Sequence, residues 1–237
     1  MEGEIEIPAR LEMGCSSLDE LLNGGIEEGA ITNVYGKSGT GKTNFCVQAT
    51  ARCLQKGGKA VFVDTEGGFS PERFLQIIDD KSLLDNLLMI EPTTFEEQKD
   101  AFKELEDVVE REDPDLVVVD SLVALYRLKL QNDDAPEINQ EFSKQLSILS
   151  KIARQNDLPV LVTNQVYSQF DSDEVELVGR DIPTYWSKCL LKLEKVGKNY
   201  RKAVLKKHRS RPEGLEATFS ITSSGLESRE ENEVELF

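Results

Sequence analysis

Residues 33–45 read NVYGKSGTGKTNF, and the reading of the fold turns on them. Gly36, Gly41, Lys42 and Thr43 occupy the fixed places of G-x-x-x-x-G-K-[ST]. A β-rich pentad, ITNVY (31–35), precedes the glycines, and a helical period over 41–56 follows. That strand–loop–helix context is the one a phosphate-binding loop requires. Glycines let main-chain N–H groups turn inward around phosphate oxygens, and the helix N-terminus adds partial positive charge. The expected cradle is Gly36, Lys37, Ser38, Gly39, Thr40, Gly41, Lys42, Thr43 and Asn44. Lys42 would reach the β- and γ-phosphates, and the Thr43 hydroxyl would ligate Mg²⁺. The implied ligands are a nucleoside triphosphate and Mg²⁺.

Outward from this loop, apolar runs bounded by turn residues alternate with helical periods. AVFVD (60–64), NLLMIE (86–91), DLVVVD (115–120) and LPVLVTNQ (158–165) read as further strands. Helices are expected over 71–79, with Pro71 in the first turn, over 94–111 behind the capping-box spacing TFEE, and over 137–155. Residues 166–181 are polar and aperiodic and read as a long loop. KCLLKLEKV, YRKAVLKKH and LEATFSIT then alternate apolar and polar, as edge strands do. The fold class is α/β: a mostly parallel sheet flanked by helices, with an antiparallel extension at its C-terminal edge. A single domain over 1–225 and an acidic tail over 226–237 are expected.

The 237 residues suit one such domain. No apolar run approaches the roughly 20 residues of a membrane span. MEGEIEIPAR lacks the layout of a signal peptide, so a cytoplasmic protein is expected. Cys15, Cys46, Cys53 and Cys189 form no C-x-x-C pair and read as buried reduced thiols. The formal net charge of −16 argues against a protein that coats DNA through bulk charge. The average hides an asymmetry, because ten Lys and Arg lie between Lys188 and Arg211 against one acid, Glu194.

Candidate chemistry follows the strand ends. Asp120 closes a buried parallel strand, where α/β sheets bind ligands, and would orient the metal through water. Hydrolysis also needs a group that positions or deprotonates water. Both Asp64 and Glu66 sit at the end of the second strand, and spacing alone does not choose between them.

In order along the chain, LEMGCSSLDELLNGGIEEGAITNVYGKSGTGKTNF, VFVDTEGGFSPERF, LVVVDSLVALYR and LPVLVTNQV resemble the ATPase core of the RecA/RadA recombinase family. The resemblance runs over about residues 10–225 and is nearest to the short archaeal RadA paralogues, the RadB group. It implies a RecA-like core that lacks the family's N-terminal helix-hairpin-helix domain. It also implies that Glu66 is the glutamate activating water, that Arg73 stacks on adenine, and that Gln165 senses the γ-phosphate and relays its state to a DNA-facing loop. Catalysis would then rest on Lys42, Glu66 and Gln165.

Lys207 and Arg209 fall on alternate positions of an expected strand. They read either as a finger reaching a neighbouring subunit's nucleotide, as in KaiC-like ATPases, or as part of a DNA-contact surface with Lys202, Lys206 and Arg211, or as a solvated edge. Arg127 and Lys129 belong to the expected first DNA-binding loop, where Tyr126 could stack on a base or pack beneath. The function implied is ATP-dependent DNA binding in homologous recombination and repair, with weak ATP hydrolysis. The protein would be an accessory or mediator of the main recombinase, and DNA, that recombinase, other repair proteins and further copies of this chain are the expected partners. The alternative is a KaiC-like regulatory ATPase that assembles and signals through protein contacts without DNA.

Overall fold

A computed structural model of the chain describes residues 7–131, 135–168, 175–179 and 181–229. Its centre is a nine-stranded sheet. Five strands are parallel neighbours: β3 (Ile31–Tyr35), β4 (Ala60–Asp64), β5 (Leu87–Ile90), β6 (Leu116–Asp120) and β7 (Val160–Asn164). β10 (Cys189–Lys195) adds to β3 in parallel, and β11 (Tyr200–Lys207), β12 (Glu216–Thr222) and β13 (Gly225–Ser228) continue as an antiparallel meander. β1 (Arg10–Leu11) and β2 (Ile26–Glu27) form a separate two-stranded ribbon.

The central strands are buried on both faces, which explains why they read as continuous apolar runs. Along β4, Phe62 enters one core while Val61 and Val63 enter the other. The first core lies under α1 (Ser16–Leu21), α2 (Lys42–Gln55) and α3 (Pro71–Ile77), with a 3₁₀ turn at Lys81–Asn86 beyond. The second lies under α4 (Phe95–Glu112), α5 (Ala124–Leu130) and α6 (Ala135–Gln155). The cap of α4 departs slightly from the expected box. Thr94 Oγ accepts from Glu97 N at 3.1 Å, but the Glu97 carboxylate answers Thr93 rather than Thr94. All four cysteines are buried free thiols.

Three expectations about segments change. Within 166–181, β8 (Val166–Ser168) and β9 (Val175–Leu177) pair antiparallel, and α7 (Asp181–Trp186) follows. These pieces are too short for a periodicity to stand out. Residues 169–174 and 180 of that segment lie outside the described residues. Arg127 and Lys129 sit on α5, not on a loop, because Leu125 and Tyr126 are buried. Tyr126 packs beneath, stacked on Phe142 at 4.3 Å. Finally, the sheet runs to Ser228, past the expected start of the acidic tail, since Leu226 is buried in the core. Residues 230–237 of the tail lie outside the described residues.

Gln48 ties both ends of the described chain to the helix behind the phosphate loop. It is 1% exposed on α2; its Nε2 donates to Met13 O at 2.9 Å, and its Oε1 accepts from Leu226 N at 3.3 Å. Gln48→Leu keeps the volume but orphans a buried carbonyl and a buried N–H. It should lower the unfolding free energy in a urea titration by about 2 kcal/mol. An unchanged midpoint would show that neither bond matters.

Candidate nucleotide site

The loop between β3 and α2 is shaped by close approaches that only glycine permits. A Cβ on Gly36 would stand 2.4 Å from Leu193 O and 2.9 Å from Thr40 Oγ1. Gly41 is the N-cap of α2 with φ +100°, and a Cβ there would come within 2.6 Å of Ile221 Cδ1. Thr40 is buried and its hydroxyl donates to Lys37 O at 2.9 Å. The loop borders a cavity of about 440 Å³ lined by Gly36, Ser38, Gly39, Gly41, Lys42, Thr43, Asn44, Arg127, Gln165 and Val166. Lys42 Nζ donates to the carbonyls of Gly36 and Lys37 at 3.0 and 3.2 Å. Burial pushes its pKa down, opposed by the charges of Asp120 and Glu66. A phosphate oxygen would be a stronger acceptor for that ammonium than a neutral carbonyl.

Asp64 and Asp120 end adjacent strands in direct register, and their surroundings differ. Asp64 accepts the main-chain N–H groups of Glu66, Gly68 and Phe69 at 3.1, 3.1 and 2.8 Å, so its carboxylate builds the turn. Glu66, one of two candidates by spacing, carries its carboxylate outward and accepts the Ser121 hydroxyl and Gln165 Nε2, the latter at 3.0 Å. Asp120 is 4% exposed and accepts the Thr163 hydroxyl. Desolvation pushes its carboxyl above the ordinary range, hydrogen bonds from Thr163 and Thr43 pull it back, and the nearby Glu66 and Asp64 charges push it further up. The peptide bond between Asp120 and Ser121 is cis.

This crowding of carboxylates beside a phosphate cradle is what a divalent cation relieves. Among the described residues, no group of three or more His, Cys, Asp or Glu could hold a metal by itself. The donor set instead fits a hard ion that takes Thr43 Oγ, phosphate oxygens and water, with Asp120 behind. Gly68 keeps that space open, since a Cβ there would sit in contact with Thr43, 3.6 Å from its Oγ1, and 3.8 Å from Asp120 Oδ2.

Gln165 connects this cluster to the following segment. Its Oε1 accepts from Arg127 Nη1, and its main-chain carbonyl accepts from Val178 N at 3.0 Å. Asn164 Nδ2 donates to Val178 O at 3.2 Å, so the base of the β8–β9 ribbon is tied at both residues. Arg73, on α3, donates through Nε to Asn44 Oδ1 at 2.8 Å and through Nη1 to Gln76 and to Ser223 O. Its guanidinium is thereby set beside the N-terminal turn of α2.

The remaining basic candidates do not gather here. Lys129 pairs with Glu96 at 2.6 Å on the α4 side. Lys202 lies between Glu194 and Glu216 at 3.4 and 3.1 Å. Lys206 is exposed on β11. Lys207 Nζ donates to Thr184 O at 2.8 Å, Arg209 lies beyond the end of β11 and pairs with the buried Glu27, and Arg211 donates to Glu20 O at 2.6 Å. Lys207 pairs in register with Leu190 at the start of β10, so these last three sit at the end of the sheet remote from this chain's own phosphate loop. The sequence reading missed Ser121, Thr163 and Arg201, which hold Glu66, Asp120 and the loop itself. Their partners are 43 to 162 positions away and no motif marks them; only Ser121, directly after Asp120, could have been suspected.

The family model described as Rad51 matches residues 7–229. The DNA repair and recombination protein RadB of Methanococcoides burtonii is 40% identical over 223 residues, covering 93% of this chain and 98% of that one. Its namesake from Methanobrevibacter smithii is 43% identical over 221 residues, covering 89% and 93%. A solved structure described as the RadB recombinase superposes with a TM-score of 0.80 at 38% identity, covering 93% of this chain and all of that one. With a RecA-like sheet, a phosphate loop at the end of its third strand and a family match over nearly its whole length, this chain belongs to the Rad51 family.

Proposed function

We propose that the chain is an ATP-dependent DNA-binding protein of homologous recombination and DNA repair, an accessory or mediator of the main recombinase with weak ATP hydrolysis. The observation that carries the reading is the Arg127–Gln165–Glu66–Ser121 chain of hydrogen bonds across the mouth of the phosphate loop. It joins the acid suited to activating water to the residue from which the β8–β9 ribbon departs. The relatives' names, DNA repair and recombination protein RadB, supply the process. They favour it over a KaiC-like regulatory role.

In this reading the amides of residues 36–43 and Lys42 bind the triphosphate of ATP, and Arg73 stacks on the adenine. Thr43 and Asp120 hold Mg²⁺, which neutralises phosphate charge when bound. Glu66 accepts a proton from the attacking water, and Gln165 exchanges its bond to Glu66 for one to the γ-phosphate. That exchange would move the Gln165 side chain that accepts from Arg127 and pull on the ribbon at Val178. DNA contacts would come from that side through Arg127 and Lys129, or from the opposite edge through Lys202, Lys206 and Arg211. Lys207 and Arg209 would reach a nucleotide only in another copy of the chain, and each would first release a present partner. Among the described residues no helix is long and apolar enough to cross a membrane.

Two outcomes are expected. Glu66→Gln should retain nucleotide affinity while steady-state phosphate release falls by about 10²-fold or more, to background. Equal turnover in variant and parent would remove Glu66 from the chemistry. Single-stranded DNA should be retained on filters at low salt, more with ATP than without, and salt should weaken it. Turnover measured across protein concentration should rise on adding that DNA. Indifference to DNA together with a rise in specific activity with protein concentration would instead favour an assembling regulatory ATPase.

A further inference from the structure

Arg201, on β11, is 8% exposed, yet its acceptors among the described residues are main-chain carbonyls. Nη1 donates to Tyr200 O at 2.9 Å and to Gly197 O and Lys198 O at 3.4 Å each. Nη2 donates to Gly39 O at 3.1 Å. Gly197 and Lys198 lie in the turn joining β10 to β11 and Tyr200 opens β11; the fourth carbonyl belongs to the phosphate loop, 162 positions earlier. Register explains the meeting. Lys192 of β10 pairs with Tyr35 at the end of β3, and Arg201 pairs with Lys195, so the hairpin overhangs the loop.

The contact bears on phosphate binding in two ways. Gly39 has φ +75° and nothing within 4 Å of an ideal Cβ, so its own packing does not fix it. The peptide unit is planar with C=O and N–H opposed, so a guanidinium that holds the Gly39 carbonyl outward turns the Thr40 N–H inward. There Thr40 N makes only a long 3.4 Å bond to Lys37 O. A flipped Gly39 peptide would offer a carbonyl oxygen to an anion. The guanidinium also brings a positive charge to the phosphate loop itself, 3.1 Å from the Gly39 carbonyl.

We propose that Arg201 is a positioning residue for the nucleotide: it locks the phosphate loop through the Gly39 carbonyl and couples triphosphate affinity to the hairpin turn at residues 196–199. The inference rests on reading the loop as an ATP site. The fork is essential to it, because one ammonium cannot span the turn and the loop as two guanidinium nitrogens do. Lysine at this position keeps the charge and loses the bridge.

The test combines a fluorescent ADP titration with amide hydrogen exchange on the whole chain. Arg201→Met should weaken ADP binding by about tenfold or more, and Arg201→Lys should fall between variant and parent. The nucleotide-free melting temperature reports any separate loss of stability. In the parent, ADP should slow amide exchange at residues 196–199 as well as at 39–43, and in Arg201→Lys the effect on the hairpin should vanish while that on the loop persists. Protection of the hairpin needs no variant, so the idea stays testable if Arg201→Met does not fold. Equal ADP affinity in the folded variants and the parent, or a hairpin in the parent that ignores ADP, overturns the proposal. A parent that binds no ADP at all overturns the ATP-site reading beneath it, and this inference with it.

Discussion

A stretch of main chain that belongs to neither strand nor helix must hold its own polar groups in place, and residues 36–41 are such a stretch. Their N–H groups have to face a phosphate, so their carbonyls need partners elsewhere. The fold supplies those partners from several directions. Lys42 reaches back to two of the carbonyls, Arg201 holds a third, and the backbone at Leu193 closes against Gly36. Ile221, on β12, sits so close to Gly41 that a Cβ there would come within 2.6 Å of its Cδ1. The antiparallel edge of the sheet is therefore part of the phosphate site and not an appendage to it.

The second constraint is electrostatic. Three carboxylates, Asp64, Glu66 and Asp120, converge at the ends of two neighbouring strands. Each is given a different task by its hydrogen bonds. Asp64 accepts three main-chain N–H groups and so shapes a turn, Asp120 is buried against Thr163, and Glu66 alone is exposed, accepting from Ser121 and Gln165. Burial and like charge both raise the pKa of Asp120. A cation beside Thr43 would offset both effects, which is the physical sense of placing the acids there.

Much of this was legible in the sequence, for identifiable reasons. Strands such as AVFVD and LVVVD are continuous apolar runs because both faces are covered, and the glycine spacing of the loop has few other uses. Spacing could not rank Asp64 against Glu66, since the difference lies in which main-chain N–H groups curl back. The basic run from Lys188 to Arg211 was less legible. The strands send its members to different places: Arg201 to the phosphate loop, Lys192 and Lys202 to Glu194, Lys207 to Thr184 O, Arg209 to Glu27 and Arg211 to Glu20 O. A linear count of charge says nothing about cross-strand pairing, and the same blindness hid Arg201, whose partner lies 162 residues away.

The central claim is that the loop after β3 closes its amides and the Lys42 ammonium around a nucleotide triphosphate. Titration calorimetry of ATP with magnesium into the parent and into Lys42→Ala tests it most directly. The account predicts saturable one-site binding by the parent and a loss of about 10- to 100-fold in the variant. Uptake by the variant as tight as by the parent would contradict it.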